Sequence, residues 1–297
     1  MKIIISGGSG FIGRKITDLL SKHHEITVIS RKNFQSKKNI KYIQSDISNF
    51  DILKDSFANS RYDLFLHLAW EGSTGKDRLN TEMQNKNISS SINCFKISEM
   101  TGCAKFVGVG SISEFIYLNK KNKHKVTPNV IYGYFKNQCY ESLRKESINS
   151  DVKLIWTRLS NVYSNSSYQK NLLGMIIKSI ENNKPITISE CKHPYDFIFL
   201  DDAVKALSLI LLKSNNFDNY TISNNEKIQL CDYLSYVNDL TSPNSFIKFD
   251  ASLNDGISWD FNMFDNSNLL EDFGKQVKFS NFKKVMHKLL TKGTYNK

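Results

Sequence analysis

Proline is scarce in this sequence and cysteine is thinly spread. Four prolines and fourteen glycines in 297 residues leave no collagen-like period, no Pro/Ser-rich linker and no low-complexity segment, which excludes disorder as the main state of the chain. The five cysteines, Cys94, Cys103, Cys139, Cys191 and Cys231, are odd in number and never spaced as CxxC. That spacing argues against a disulfide framework or thiolate metal site and fits a reducing cytoplasm. Histidines, cysteines and carboxylates do not fall at ligand spacing, so no metal is expected. No run approaches the roughly 18 apolar residues of a membrane span, and Ile3 to Ile5 run into glycine too early for a signal h-region. A soluble, unexported, cytoplasmic protein with no membrane partner is the expectation. Acidic residues are also short, 29 Asp and Glu against 40 Lys and Arg, for a net charge of +11. The lysines are scattered, with local runs only at Lys37–Lys38 and from Lys120 to Lys125, and no basic face is interleaved with aromatics. The excess reads as solvated surface, and no nucleic-acid partner is expected.

What is present is a globular composition, 40 % hydrophobic and 23 % charged, in a chain of about two domain-lengths. Short β-branched runs at 2–6, 25–30, 41–44, 62–68, 105–109 and 154–159 alternate with amphipathic stretches at about 11–22, 81–100 and 129–149. This alternation predicts repeated βαβ units and a parallel sheet, an α/β fold of the doubly wound Rossmann type. From about Ser164 the pattern loosens into Asn and Ser clusters and returns as a strand and helix at 196–212. The expected division is therefore interleaved: a dinucleotide-binding region at 1–163 with a return segment at 195–223, and a smaller α/β substrate region at 164–194 and 224–297.

Gly7-Gly8-Ser9-Gly10-Phe11-Ile12-Gly13 reads as GxxGxxG and, from Gly8, as GxGxxG, between a strand and a helix. Glycines permit the tight turn and let backbone amides approach a pyrophosphate, which the helix N-terminus also favours. Gly7, Gly10, Phe11, Ile12 and Gly13 are the expected cradle. The second strand ends in Ser30-Arg31 where an NAD-binding fold normally carries an acid for the ribose 2′-hydroxyl. Arg31 can pair with a 2′-phosphate through its planar fork, so NADP(H) is favoured, with NAD(H) as the alternative. Asp46 and Ile47 follow the third strand, in place for the adenine amino group. Tyr132 and Lys136 lie four apart on a predicted helix and share a face. A cation beside a phenol, with an oxidised nicotinamide ring adding positive charge, lowers its pKa toward the range of an acid/base catalyst. Ser111, at the end of a parallel strand, faces the ligand crevice; Ser113 is the second choice. His67 is expected to brace its strand.

These segments, together with His67-Leu68-Ala69, Arg158-Leu159-Ser160-Asn161-Val162-Tyr163 and the run from Tyr195 to Asp202, occur in an order that resembles extended short-chain dehydrogenases/reductases, the NAD-dependent epimerase/dehydratase family acting on nucleotide sugars. The resemblance runs to about Ser223. It implies Ser111, Tyr132 and Lys136 as catalytic residues and Leu68, Ala69, Val162 and Lys136 as cofactor contacts. It also implies Asn161, Asn171, Leu172, Ser113 and Trp70 as substrate contacts. A homodimer is implied through the helices at about 81–100 and 129–149.

Departures from the family pattern narrow the activity. Dehydratases of the family carry an Asp-Glu pair directly after the catalytic hydroxyl, whereas this chain has Ile112-Ser113 or, in the other register, Glu114-Phe115. No arginine follows Arg158, so Lys170 or Lys192 is expected to meet the substrate diphosphate. The resemblance then implies NADPH-dependent reduction of the C4 keto group of a nucleotide-diphospho-4-keto-6-deoxyhexose, in deoxysugar and surface-polysaccharide synthesis. The alternatives are an NAD-dependent nucleotide-sugar 4-epimerase and, more remotely, a non-catalytic dinucleotide sensor.

Overall fold

Ile3, Ile4 and Ile5 are all fully buried, so the first strand has no solvent face, the condition of a strand inside a parallel sheet covered on both sides. The computed structural model describes residues 1–164, 171–214, 216–241 and 247–291. In chain order the first half runs β1 (Lys2–Ser6), α1 (Phe11–Leu20), β2 (Glu25–Ser30), β3 (Ile40–Gln44), α2 (Phe50–Phe57), β4 (Leu64–His67), α3 (Thr81–Met100), β5 (Lys105–Ser111), α4 (Ser113–Leu118) and α5 (Pro128–Glu146). It continues through β6 (Lys153–Leu159), β7 (Asn161–Tyr163), α6 (Leu172–Glu181), β8 (Ile186–Ile188), β9 (Pro194–Tyr195), β10 (Phe197–Phe199) and α7 (Leu200–Lys213). The last elements are β11 (Asn219–Ile222), β12 (Ile228–Gln229), α8 (Leu230–Thr241), β13 (Ile247–Phe249), α9 (Ser267–Phe273) and α10 (Phe282–Thr291).

Among the described residues the main sheet has seven strands in the order β11-β6-β5-β4-β1-β2-β3, and every neighbouring pair is parallel. The order reverses between β1 and β4, and there the loops after the strands part to open a crevice. This is the expected Rossmann sheet, and its six anticipated strands are present. The helix expected over 81–100 is α3, started by Asn80, whose side chain accepts from the Met83 amide. The seventh strand, β11, was not anticipated, because four residues flanked by Asn and Asp carry little periodic signal until Asn219 pairs with Trp156 of β6.

Alternate residues of β1 feed opposite faces. Ile3 and Ile5 pack with α1 and α7, whereas Ile4 packs with Phe65, Phe106 and Trp156 beneath α2, α3 and α5. Each such fully buried side chain contributes about 1.5–3 kcal/mol by removal from water. A third cluster gathers Tyr163, Phe197, Tyr233 and Phe282 from β7, β10, α8 and α10, with the Phe197 and Phe282 rings stacked 5.1 Å apart. The segment before it behaves differently: Leu269 and Phe273 of α9 join the sheet's first face, and Met263 and Phe264 pack on Ile112 and Ile116. Residues about 261–273 thus pack with the Rossmann half rather than with the aromatic cluster. Among the described residues no helix is long and apolar enough to cross a membrane.

Helices α4 and α5 touch backbone to side at Gly133, where a Cβ would fall 1.9 Å from the Ser113 carbonyl oxygen. Gly133→Ala is expected to prise the two helices apart and lower stability by about 1–3 kcal/mol, read as a lower urea midpoint with unchanged slope.

Candidate active site

The glycine loop sits at the reversal between β1 and β4. Gly7 has φ +74°, and a Cβ on it would fall 2.6 Å from the Ala69 amide nitrogen; one on Gly13 would fall 2.1 Å from the Gly7 carbonyl oxygen. Only glycine lets the turn lie this flat, with the first turn of α1 directed at the crevice. From the loop a cleft of about 240 Å³ runs past Ser30 and Arg31 and past Asp46 and Ile47, and is walled by Leu68, Ala69, Trp70 and Glu71. These residues fit a dinucleotide: a backbone cradle that excludes side chains, a helix N-terminus for the phosphates, and polar groups at the far end.

At that far end Arg31 is not alone. Its Nη1 lies 3.2 Å from Glu71 Oε1, both side chains largely exposed, so the pair adds little stability. The sequence reading missed Glu71, whose backbone is clamped by Asn87: its amide donates to Oδ1 at 2.9 Å and its carbonyl accepts from Nδ2 at 2.8 Å. Burial alone would raise the Asp46 carboxyl. The Ser48 amide at 2.8 Å, with the Ser48 side chain, Lys86 and Arg31, outweighs it and holds the group below the usual carboxylate range.

Thr127 caps α5 and Pro128 opens it, which sets the phase that brings Tyr132 and Lys136 inward, both buried. The Lys136 ammonium donates to the Val109 carbonyl at 2.8 Å and sits 3.6 Å from the Trp70 ring centroid. Burial pushes Lys136 down to about 8 and Tyr132 up to about 12. Lys136 alone does not lower the tyrosine in this geometry. Desolvation dominates, and the lysine ammonium, 5.9 Å from the Tyr132 ring centroid, is turned toward Val109 and Trp70. The cation nearest that ring is Arg78, 4.5 Å from its centroid, which the sequence reading also missed. Its only sequence signal is rarity: six of the 40 basic residues are arginines, and Arg31, Arg78 and Arg158 lie in or under this site.

Ser111 and Ser113 come together, with hydroxyls 3.2 Å apart. Glu114 follows them but turns into the core, fully buried. Its carboxylate accepts from the Ser111 amide at 2.8 Å, Trp156 Nε1 at 3.0 Å and Arg158 Nε at 2.7 Å. Burial pushes its carboxyl up against the pull of Arg158. His67 hydrogen-bonds Ser6 at 2.7 Å and Ser91 at 2.8 Å through its two ring nitrogens, and burial lowers it to about 3, so it braces the strand as a neutral imidazole.

The substrate residues implied by the resemblance are largely engaged in the fold. Asn161 donates to the Asp196 carbonyl at 3.1 Å, while Asn171 caps α6 and donates to the Val162 carbonyl at 3.0 Å. Leu172 packs on the aromatic cluster and Val162 on the sheet core. Lys192 is exposed and paired with Glu190 at 2.8 Å, and Lys170 lies outside the described residues. Among the described residues no group of three or more His, Cys, Asp and Glu is placed to hold a metal ion.

The NAD dependent epimerase/dehydratase family matches residues 3–224. A dTDP-D-glucose 4,6-dehydratase of Dictyostelium discoideum is 23 % identical over 78 % of this chain, which spans 60 % of that protein's length. A CDP-abequose synthase of Yersinia pseudotuberculosis is 25 % identical, covering 75 % of this chain and 78 % of its own. The fold is shared with Thermotoga maritima UDP-glucose 4-epimerase bound to UDP-glucose, with TM-score 0.79, 18 % identity and 100 % of both chains covered. It is also shared with Bordetella bronchiseptica WbmG in complex with NAD, with TM-score 0.78, 19 % identity and 99 % and 94 % covered.

Arg158→Met leaves Glu114 buried without its charge partner and is expected to cost about 3–5 kcal/mol, whereas Glu114→Leu with Arg158→Met costs less. A carboxyl raised in the folded chain stabilises it at low pH and ceases to as pH rises, so urea unfolding of Arg158→Met should show falling stability from mildly acidic to neutral pH.

Proposed function

The chain belongs to the NAD dependent epimerase/dehydratase family, enzymes of the extended short-chain dehydrogenase/reductase type that act on nucleotide sugars, and we propose that it uses NADPH to reduce the C4 keto group of a nucleotide-diphospho-4-keto-6-deoxyhexose. The observation that carries this reading is the commitment of Glu114 to Arg158, Trp156 and the Ser111 amide. The hydroxyl, phenol and ammonium needed for carbonyl chemistry are there, and the one acid beside them is withdrawn from any elimination of water. The relatives named as CDP-abequose synthases and dTDP-glucose dehydratases support a nucleotide-linked sugar as substrate.

In this reading the glycine loop and the start of α1 hold the pyrophosphate, Asp46 and Ile47 the adenine, and Arg31 the 2′-phosphate, exchanging Glu71 for it. Leu68, Ala69 and Val162 pack on the cofactor and Lys136 binds its ribose. When bound, the nicotinamide supplies hydride to the C4 carbonyl carbon. Tyr132 gives its phenolic proton to the C4 oxygen, which Ser111, with Ser113 beside it, holds by hydrogen bonding. Trp70 walls the sugar pocket, and the substrate enters from the side of Asn161, Asn171 and Leu172. A homodimer through α3 and α5, which lie together on one face of the sheet, and a cytoplasmic location belong to the same proposal.

Glu71 favours a second reading. An acid beside Arg31 can accept from an unphosphorylated ribose, which suits NAD and a nucleotide-sugar 4-epimerase.

The test is oxidation of NADPH, with NADH in parallel, on 4-keto-6-deoxy sugars generated from CDP-, dTDP- and GDP-hexoses. Turnover with NADPH is expected, falling roughly 100- to 10,000-fold in Tyr132→Phe while NADPH still binds. Silence on all three, with NAD retained by the purified protein, would establish the epimerase instead. Arg31→Ala is expected to weaken NADPH binding roughly ten- to a hundredfold and leave NADH binding unchanged; Glu71→Gln should strengthen NADPH binding. Both are read by quenching of intrinsic fluorescence.

A further inference from the structure

We propose that Arg78 is a positioning residue for Tyr132: its guanidinium, laid over the phenol ring, supplies the positive charge that stabilises the tyrosinate formed when the proton is given up. The proposal rests on the reading of Tyr132 as the proton donor. As the O–H bond of Tyr132 breaks and one forms on the C4 oxygen, negative charge appears on the phenol, while the guanidinium neither gains nor loses a proton.

Arg78 lies in the short 3-10 helix Gly75–Leu79, between β4 and α3. Three contacts fix it: Nε donates to the Ser73 carbonyl at 2.7 Å, Nη1 donates to Asn129 Oδ1 at 2.5 Å, and its central carbon is 4.5 Å from the Tyr132 ring centroid. Asn129 is one turn before Tyr132 on α5, so the residue that steers the guanidinium travels with the ring it covers. The loop itself is stapled from beneath. Gln84 of α3, fully buried, donates Nε2 to the carbonyls of Gly72 at 3.0 Å and Asp77 at 3.2 Å, and its Oε1 accepts from Trp70 Nε1 at 2.8 Å. One amide thereby places both Trp70, whose ring meets Tyr132 edge-on at 6.2 Å, and the residue preceding Arg78.

The charged groups facing Tyr132 are few. Arg78 comes from the loop above and Glu114 from α4, and the two act in opposite directions; Lys136 is on the same helix with its ammonium engaged elsewhere. Tyr195 of β9, also titratable, lies within the field of Arg78. Burial pushes Lys136 down to about 8, so its charge thins as the solution turns alkaline. A guanidinium stays charged throughout, stacks flat on an aromatic face and is the better cation for that position.

The test places 2,3-difluorotyrosine, a more acidic phenol than tyrosine, at position 132 and follows its ionisation by fluorine NMR, with no substrate or cofactor present. Arg78→Gln is expected to raise the midpoint by about one pH unit, the size of a desolvated cation–π contact, and Arg78→Lys to restore part of it. Equal midpoints in all three proteins would overturn the proposal, whatever the enzyme's substrate proves to be. In the NADPH assay Arg78→Gln should lower kcat about tenfold or more with KM for the sugar little changed. A raised KM at constant kcat would instead assign Arg78 to the substrate's phosphates and overturn it.

Discussion

A carboxylate with no access to water organises the centre of this protein. Glu114 accepts hydrogen bonds from the end of β5 at the Ser111 amide and from two β6 side chains, Trp156 and Arg158. Arg158 passes the connection on, donating to Asn219 of β11 at 3.1 Å. A buried ion pair of this kind gains little over a hydrophobic pair of the same shape, but it is costly to break and admits few geometries. It fixes where β5 stops, and so where Ser111 and Ser113 sit. Gly133 then lets α5 rest directly on the Ser113 carbonyl, which sets the distance of Tyr132 from those hydroxyls.

Around this anchor the site is dry, and dryness governs its electrostatics. Tyr132, Lys136 and Glu114 are all buried, and for each the largest effect is desolvation, which favours the neutral form. Phenol and amine, whose ordinary ranges nearly coincide, are thereby driven apart, the phenol up and the amine down. A fixed positive charge is the natural remedy, and a loop from the β4–α3 connection carries Arg78 to the phenol. The same connection carries Trp70 to the lysine and Glu71 to Arg31. Nine residues of one loop, Trp70 to Arg78, held by Gln84 and Asn87, thus touch both the phenol end and the Arg31 end of the cleft.

Much of this was legible in the chain. Short β-branched runs marked the six early strands, the first of which is covered on both faces, and helical-period hydrophobicity marked α1, α3 and α5. The glycine loop, Tyr132 with Lys136, and the serines were legible because their spacing is local. Elements α6 and α8 were not, since their partners in the aromatic cluster lie tens of residues away. Arg78, Glu71 and Gln84 were illegible for the same reason: nothing adjacent in sequence marks an arginine between two glycines and a helix cap as the cover of a tyrosine more than fifty residues on.

The sequence by itself therefore determined the Rossmann fold class, the glycine loop and the family, all of which depend on residues a few positions apart. Only the tertiary structure decided that Glu114 is a strut, that Lys136 faces Trp70 and that Arg78 covers Tyr132. Charge placement in a buried site depends on which side chains share a dry volume, and that is set by long-range packing, to which local spacing is blind.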